Sequence, residues 1–474
     1  MGSNKRWLAV LIVFILLILL LSGCGTRKTE DKDSISSGEL YQENGLPKDE
    51  KVTLSVMYPD QGIEKEYFEY AVESFQEKFP NVTIKVQWVD AGVEVYRKIL
   101  QSMIQSNDNK AMPDWLYNLS TETATSLAKL GKLEPQDEML ERSFYDTPDL
   151  KVKEGLLGDV VHIDQTNHVY VLPGISSLYG VFFNKKMFAQ YGFEIPKIWE
   201  EFMDLSEKIK AQNIYPMVMA GKYASGYFSS GWGAIPYILG GEEYLKKEYD
   251  YAENLYISKP FVEMLTRLES FAKKGYLHPG TASFDHTQSQ MELVQGKAAL
   301  VTVGAWVANE MKDVTPNDFE WGFMPFPGAD SHNQDLYVRI ASSINGFIWK
   351  EKPELNKKWA KEFNLWLYNL DIQKKRAFAG GVPSRSDFSQ KFHDLEGISP
   401  SVLEALQALE RSDVKLVNTK ARNPKMINRV KDNVAMSKVE KVMGDGYIKL
   451  ITGREKALEV AKRINEQYMR ALGK

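Results

Sequence analysis

Residues 170–209 run YVLPGISSLYGVFFNKKMFAQYGFEIPKIWEEFMDLSEKI, and the spacing of their apolar positions changes part-way. VYVLP and YGVFFN, around 169–184, are short apolar runs of the kind that form strands. IWEEFMDLSEKIK instead sets Trp199, Phe202, Leu205 and Ile209 on one face of a helix. The same alternation continues outward. VTLSVMYP (52–59) alternates as a strand and ends at a proline, and the helix after it lines up Phe68, Ala71, Val72, Phe75 and Phe79. PNVTIKVQWV reads as a strand through Val82, Ile84, Val86 and Trp88; Tyr96, Ile99, Leu100, Met103 and Ile104 then mark a helix stopped near NDNKAMPDW. TETATSLAKLGKL is a helix with Gly131 as its stop. Strands alternating with helices of ten or more residues argue for an α/β fold on largely parallel sheets, without a fixed-period repeat.

Hydrophobic residues make up 43% of the chain and charged residues 26%, the balance of a soluble globular protein. A folded portion of roughly 420 residues exceeds one usual core and predicts two lobes. The formal charge of −4 gives no basic excess, which argues against nucleic acid as a partner. Catalytic signatures are missing: there is no Gly-x-Ser-x-Gly, His-Glu-x-x-His, Walker loop or Gly-x-Gly-x-x-Gly. The histidines at 162, 168, 278, 286, 332 and 393 have no i,i+4 metal pair and read as scattered surface or loop residues. A glycosidase-type carboxylate pair depends on separation in space, and nothing in the sequence singles one out.

Cys24 is the only cysteine among 474 residues. Lys5 and Arg6 precede LAVLIVFILLILLL, fourteen apolar residues, and then Ser22, Gly23 and Cys24. At ~1.5 Å per residue this run covers about 21 Å, short of a ~30 Å hydrocarbon core, so it reads as a leader; a signal anchor stays open. Leu21-Ser22-Gly23-Cys24 resembles a bacterial lipobox, in which the cysteine sulfur carries diacylglycerol after cleavage. The expected mature protein is held by acyl chains at Cys24 on the outer face of a cell membrane, that of a Gram-positive bacterium. Loss of Lys5 and Arg6 with residues 1–23 takes the formal charge from −4 to −6. Residues 24–51, polar and charged, are expected to be a disordered tether.

Beyond residue 52 a resemblance becomes specific. AVESFQEKFPNVTIKVQWV, MPDWLYN (112–118), the 170–209 stretch, LVQGKAALVTVGAWVAN (293–309), WGFMPFPG (321–328), INGFIWKEKPELNKKWAKEFNLWL (344–367) and GGVPSRSD (380–387) follow one another in family order. Together they resemble extracellular solute-binding proteins of family 1, the capture subunits of carbohydrate ABC importers. Two departures stand out: Trp115 replaces the usual apolar residue after Pro-Asp, near the expected cleft, and Lys197-Ile198 replaces the common Thr-Thr before Trp199. The resemblance implies a type II periplasmic-binding-protein-like fold of two α/β lobes around a hinge. Crossings are expected near Val171–Ser176, Gly322–Pro327 and Gly380–Pro383. Lobe 1 would then be 52–172 plus 324–379, and lobe 2 would be 173–323 plus 384–474, with the last helix on lobe 2.

The implied ligand is a sugar, an oligosaccharide above all, bound between the lobes by aromatic platforms and a few fixed polar groups. Trp306 follows Gly304-Ala305, where the family places a stacking residue. Trp232 lies in the small, polar run YFSSGWG, with Tyr227 nearby; Tyr117 and Asn118 leave the Pro-Asp segment; Tyr58 and Asp60 end the first strand; Arg385 follows the last crossing. Each has a structural alternative: buried aromatics dominate cores, and Arg385 has acids to pair with. Asp114 reads as a cap or turn residue, and Trp199, Trp359 and Trp366 as core. The implied protein is a monomer without cofactor or metal that delivers its sugar to the transmembrane subunits of an ABC permease. Alternatives are a peptide, polyamine, anion or metal-chelate ligand on the same fold, a tethered glycan hydrolase, or a sensor accessory protein.

Overall fold

The structure is a computed structural model that describes residues 38–60, 63–90, 92–117, 119, 121–157, 168–172, 175–330, 335–342, 346–392, 396–418, 423, 426, 429–430 and 433–474. The leader, Cys24 and the first part of the expected tether lie outside these residues. The chain divides into two compact units, 1–50 and 51–474. In the first, residues 38–50 form a closed turn, contrary to the expectation of a featureless tether. Gly45, at φ +70°, lets the chain reverse. Its N–H donates to the Tyr41 carbonyl (2.8 Å), Tyr41 N–H donates to the Leu46 carbonyl (2.9 Å), and Leu46 is buried.

In the second unit the strands are β1 (Val52–Pro59), β2 (Val82–Val89), β3 (Trp115–Leu116), β4 (Ser143–Phe144), β5 (Thr147–Lys151), β6 (Ile175–Asn184), β7 (Tyr215–Val218), β8 (Ala298–Gly304), β9 (Trp321–Met324), β10 (Leu336–Ser342), β11 (Phe347–Ile348) and β12 (Val414–Asn418). The first sheet has the order β11-β3-β1-β2. Here β2 and β3 run parallel to β1, and β11 closes the edge antiparallel to β3. The helix Ile63–Lys78 covers it with Phe68, Phe75 and the following Phe79, all fully buried. They meet the helix Glu354–Trp366 through Trp359, 5.0 Å from Phe79, and Phe363, 5.3 Å from Phe75. Each such side chain contributes about 1.5–3 kcal/mol by leaving water.

The second sheet is mixed, which corrects the expectation of largely parallel sheets. Its centre is the ten-residue β6. On one side β8 runs antiparallel to it; on the other, β9 pairs with Val181–Asn184 and β10 with Ile175–Tyr179, both antiparallel. Parallel pairs remain only at β8–β7 and β10–β12. Apolar periodicity reports which face of a strand is buried and carries no information on direction, so the error was built into the reading. VYVLP is also corrected: Val169–Leu172 are buried but lie outside the strands. Gln136 holds this segment, its side-chain Nε2 donating to the carbonyls of Tyr170 (2.6 Å) and Gly346 (2.7 Å).

With β4 and β5 pairing in a small sheet of their own, the chain passes between the two larger sheets three times: before β6, between β10 and β11, and between β11 and β12. The second change therefore falls between Ser342 and Phe347, away from the expected Gly322–Pro327. Gly322 is a glycine for a different reason: it pairs with Phe183, whose ring occupies the space of a side chain there. Residues 384–386 still bond to the region before β6, with Ser386 N–H donating to the Gly155 carbonyl (2.9 Å). The last helix, Ala457–Ala471, packs into the core beside the second sheet. No helix among the described residues is long and apolar enough to cross a membrane.

Candidate ligand site

Strand register brings three residues into one row across the second sheet. Gly304 at the end of β8 pairs with Tyr179 of β6, which pairs with Arg339 of β10. Gly304 has no side chain, and the Trp306 ring, two residues on, folds back over it. Tyr179 meets that ring edge-on, with centroids 5.7 Å apart and planes at 89°. Trp306 is only partly buried, so part of the indole stays open. Glu310 accepts from Gln290 Nε2 at 2.7 Å. Loss of water around this carboxyl raises its pKa.

The facing wall is the helix Ala224–Gly231 with the turn before it. Tyr223 stacks on His286, centroids 3.8 Å apart and planes at 13°, and the Tyr227 hydroxyl bonds to His286 Nδ1. Burial pushes the Tyr227 hydroxyl pKa well up; desolvation lowers that of His286 against the pull of Asp285. A protonated phenol donating to a neutral imidazole fits both shifts. Arg339 Nη1 donates to the Ser229 carbonyl, and its Nε is buried without an acceptor. These groups line a cavity of about 410 Å³. Such a cavity offers flat apolar faces beside hydroxyl and guanidinium donors. It suits an uncharged or acceptor-rich ring compound better than a metal ion, and the described residues contain no cluster of three metal-ligating side chains.

Of the expected ligand residues, the structure brings Trp306 and Tyr227 to this cavity. Trp232 is a correction. It is fully buried among Phe326 (4.9 Å), Phe271 (5.2 Å) and Trp199 (5.9 Å), because helices close over its small, polar neighbours and leave no open face. Tyr58 and Tyr117 are corrected likewise: Tyr58 lies fully buried between Phe68 (4.1 Å) and Tyr117 (4.2 Å) in the core of the first sheet. Trp115, expected near the cleft, is fully buried in the same cluster. Arg385 is a buried clamp, contrary to the ligand role. Its five N–H groups go to Asp387 (2.8 and 2.7 Å), Asp146 (3.0 Å), Thr147 (3.0 Å) and the Tyr368 carbonyl (3.2 Å). Asp60 pairs with Lys65 at 2.8 Å and does not line the cavity, and Asn118 lies outside the described residues. Asp114 is a structural residue, accepting from Ser55 N–H (2.8 Å) and Asn356 Nδ2 (3.0 Å).

The cavity residues that the sequence did not disclose include Tyr179, Tyr223, His286, Arg339 and Glu440. His286 read as a scattered histidine because its partners are far off in sequence. Arg339 carried one faint signal, a charge inside an otherwise apolar strand run, LYVRIA.

A family model described as bacterial extracellular solute-binding protein matches residues 60–374. The diacetylchitobiose binding protein NgcE of Streptomyces coelicolor is 25% identical over 307 residues, 64% of this chain and 63% of that protein. The multiple sugar-binding protein of Streptococcus mutans is 26% identical over 170 residues, 35% of this chain and 40% of that protein. The matched region thus spans less than two thirds of either relative. A solved chitin oligosaccharide binding protein is similar with a TM-score of 0.66 at 18% identity, covering 90% of this chain and 100% of that one. That likeness establishes the α/β periplasmic-binding-protein fold.

Proposed function

The chain belongs to the bacterial extracellular solute-binding proteins, a family of binding proteins and not of enzymes, and on that premise we propose that its solute is a carbohydrate held at Trp306. The observation that carries the reading is the partly open indole laid over Gly304, with hydroxyl and guanidinium donors around it. Sugar rings present apolar C–H faces to stack and hydroxyls at their rims, and this wall answers both. Similarity to proteins named for sugar binding supports the same class. Part of the chain on the side of the first sheet closes over the bound sugar by hinge motion, since contacts to both sides exist only in the shut state. The closed form then delivers the sugar to an ABC permease from a position tethered to the membrane by acylated Cys24.

A glycan panel read by thermal shift tests the carbohydrate class. A ligand at 100 times its dissociation constant adds about 2.7 kcal/mol of stability. With the best glycan, Trp306→Ala should weaken calorimetric affinity by roughly 1–3 kcal/mol, by analogy with base–aromatic stacking. The unfolding midpoint should move little, because part of the ring has no packing to lose. A panel without a binder, or unchanged affinity in the variant, would sink the assignment.

A further inference from the structure

Arg339 differs from four of the other buried and half-buried arginines, each of which is held by a carboxylate; buried Arg376 shares its unaccepted Nε and bonds Ser384. Arg142 has Glu362 at 2.6 Å, Arg267 has Glu263 at 3.1 Å, Arg385 has Asp387 at 2.7 Å and Arg463 has Glu455 at 2.7 Å. Arg339 is half-buried on a central strand of the second sheet and has no carboxylate within ion-pair distance among the described residues. Its bonds are one Nη1 donation to the Ser229 carbonyl and a position over the Tyr237 ring, 5.9 Å from the centroid. The guanidinium occupies the space that a side chain at position 233 would fill, so Gly233 makes room for it. Its Nε is buried and has no acceptor.

Two acids are near. Glu440 reaches the same cavity from an exposed position on the helix Asn433–Ile451 and forms no ion pair with Arg339; Glu310 lies on the Trp306 side. Among the described residues, neither makes an ion pair with the guanidinium. Closing a site over an unpaired cation is unfavourable, because the charge leaves water without a counter-ion. A guanidinium is also matched in shape to a carboxylate, which takes two parallel N–H bonds. From this geometry we infer that the captured carbohydrate carries a carboxylate, a uronic acid unit, and that Arg339 receives it. The inference rests on the carbohydrate reading above and narrows it from sugars in general to acidic ones.

Titration calorimetry with matched pairs of short oligosaccharides tests it, one member bearing glucuronate where the other bears glucose. The acidic member should bind tighter by about 10- to 100-fold, the range of a hydrogen bond to a charged group. Its affinity should fall as salt is raised, while that of the neutral member stays level. Arg339→Gln should erase the preference by costing the acidic member more affinity than the neutral one, with a thermal melt confirming the fold. Arg339→Lys keeps the charge but not the fork, so it should reduce the preference; it serves if the Gln variant does not fold. Equal or tighter binding of the neutral member, or a preference that survives both substitutions, overturns the acidic class and leaves sugar capture standing. If neither member binds, nor any glycan of the wider panel, both readings fall together.

Discussion

His278 sets a pH response that belongs to a single side chain. Its Nδ1 accepts from Gly280 N–H at 3.1 Å, Nε2 lies 3.2 Å from Glu292, and the ring meets Tyr215 edge-on at 4.6 Å. Desolvation lowers its pKa; Glu292 pulls it up and Lys297 pushes it down. A folded pKa below the unfolded value of about 6.5 means that the unfolded chain takes up protons first on acidification. Stability should therefore be level above neutrality and fall as pH drops through about 6.5. Urea midpoints across that range check it, and His278→Gln should flatten the fall in part, since His286 shifts the same way. A midpoint that rises on acidification would contradict the assignment. At this scale the sequence told less than its motifs suggested. Trp306 and Trp232 both follow small residues, yet one lies partly open over the Gly304 backbone and the other is enclosed by Phe202, Phe271 and Phe326. What separates them is which helices arrive from elsewhere, and that is a long-range fact. Arg385 misled for the same reason, because Asp146 lies far before it in the chain.

The β8 strand and the turn after it act as one element, and Gly304 is where the two meet. A methyl group there would overlap the Trp306 ring, which would have to leave its seat. Gly304→Ala should thus weaken sugar binding by up to roughly the 1–3 kcal/mol assigned to stacking. In a double-mutant cycle it should add nothing to Trp306→Ala, because both act through one ring. Additive losses would mean that Gly304 acts separately. Elements were the most legible level of the sequence. β1 occupies the expected 52–59, and the helix stop at Gly131 is a Schellman turn: Gly131, at φ +67°, donates to Ala128, and Lys132 donates to Leu127. Both follow from local chemistry. The helix Gly92–Ser106 was legible only in part. Tyr96 and Leu100 face inward, whereas Val95 and Ile99 stay 36–37% exposed, because the sheet beneath covers less than the full apolar stripe.

Over the whole molecule, α/β architecture was readable from alternation, while the positions at which the chain changes sheet were not. Glycine and proline mark places with special backbone needs; Gly322 shows that close packing against Phe183 is one such need and a crossing is another. Because the chain leaves the first sheet after β3, returns for β11 and leaves again for β12, neither sheet is built from one continuous segment. Urea unfolding followed by tryptophan fluorescence and by far-UV circular dichroism should accordingly give coincident single transitions. Separated transitions would show that the sheets unfold independently. The late position of β12 also governs how the chain can fail. β12 is the outer neighbour of β10, and it arrives only at residues 414–418. A chain that stops short of it, by nonsense mutation or proteolysis, leaves the backbone N–H and carbonyl groups of β10 without that partner. An exposed strand edge of this kind is a template for pairing with another chain, so C-terminal truncation should turn a solute-binding protein into a seed for aggregation.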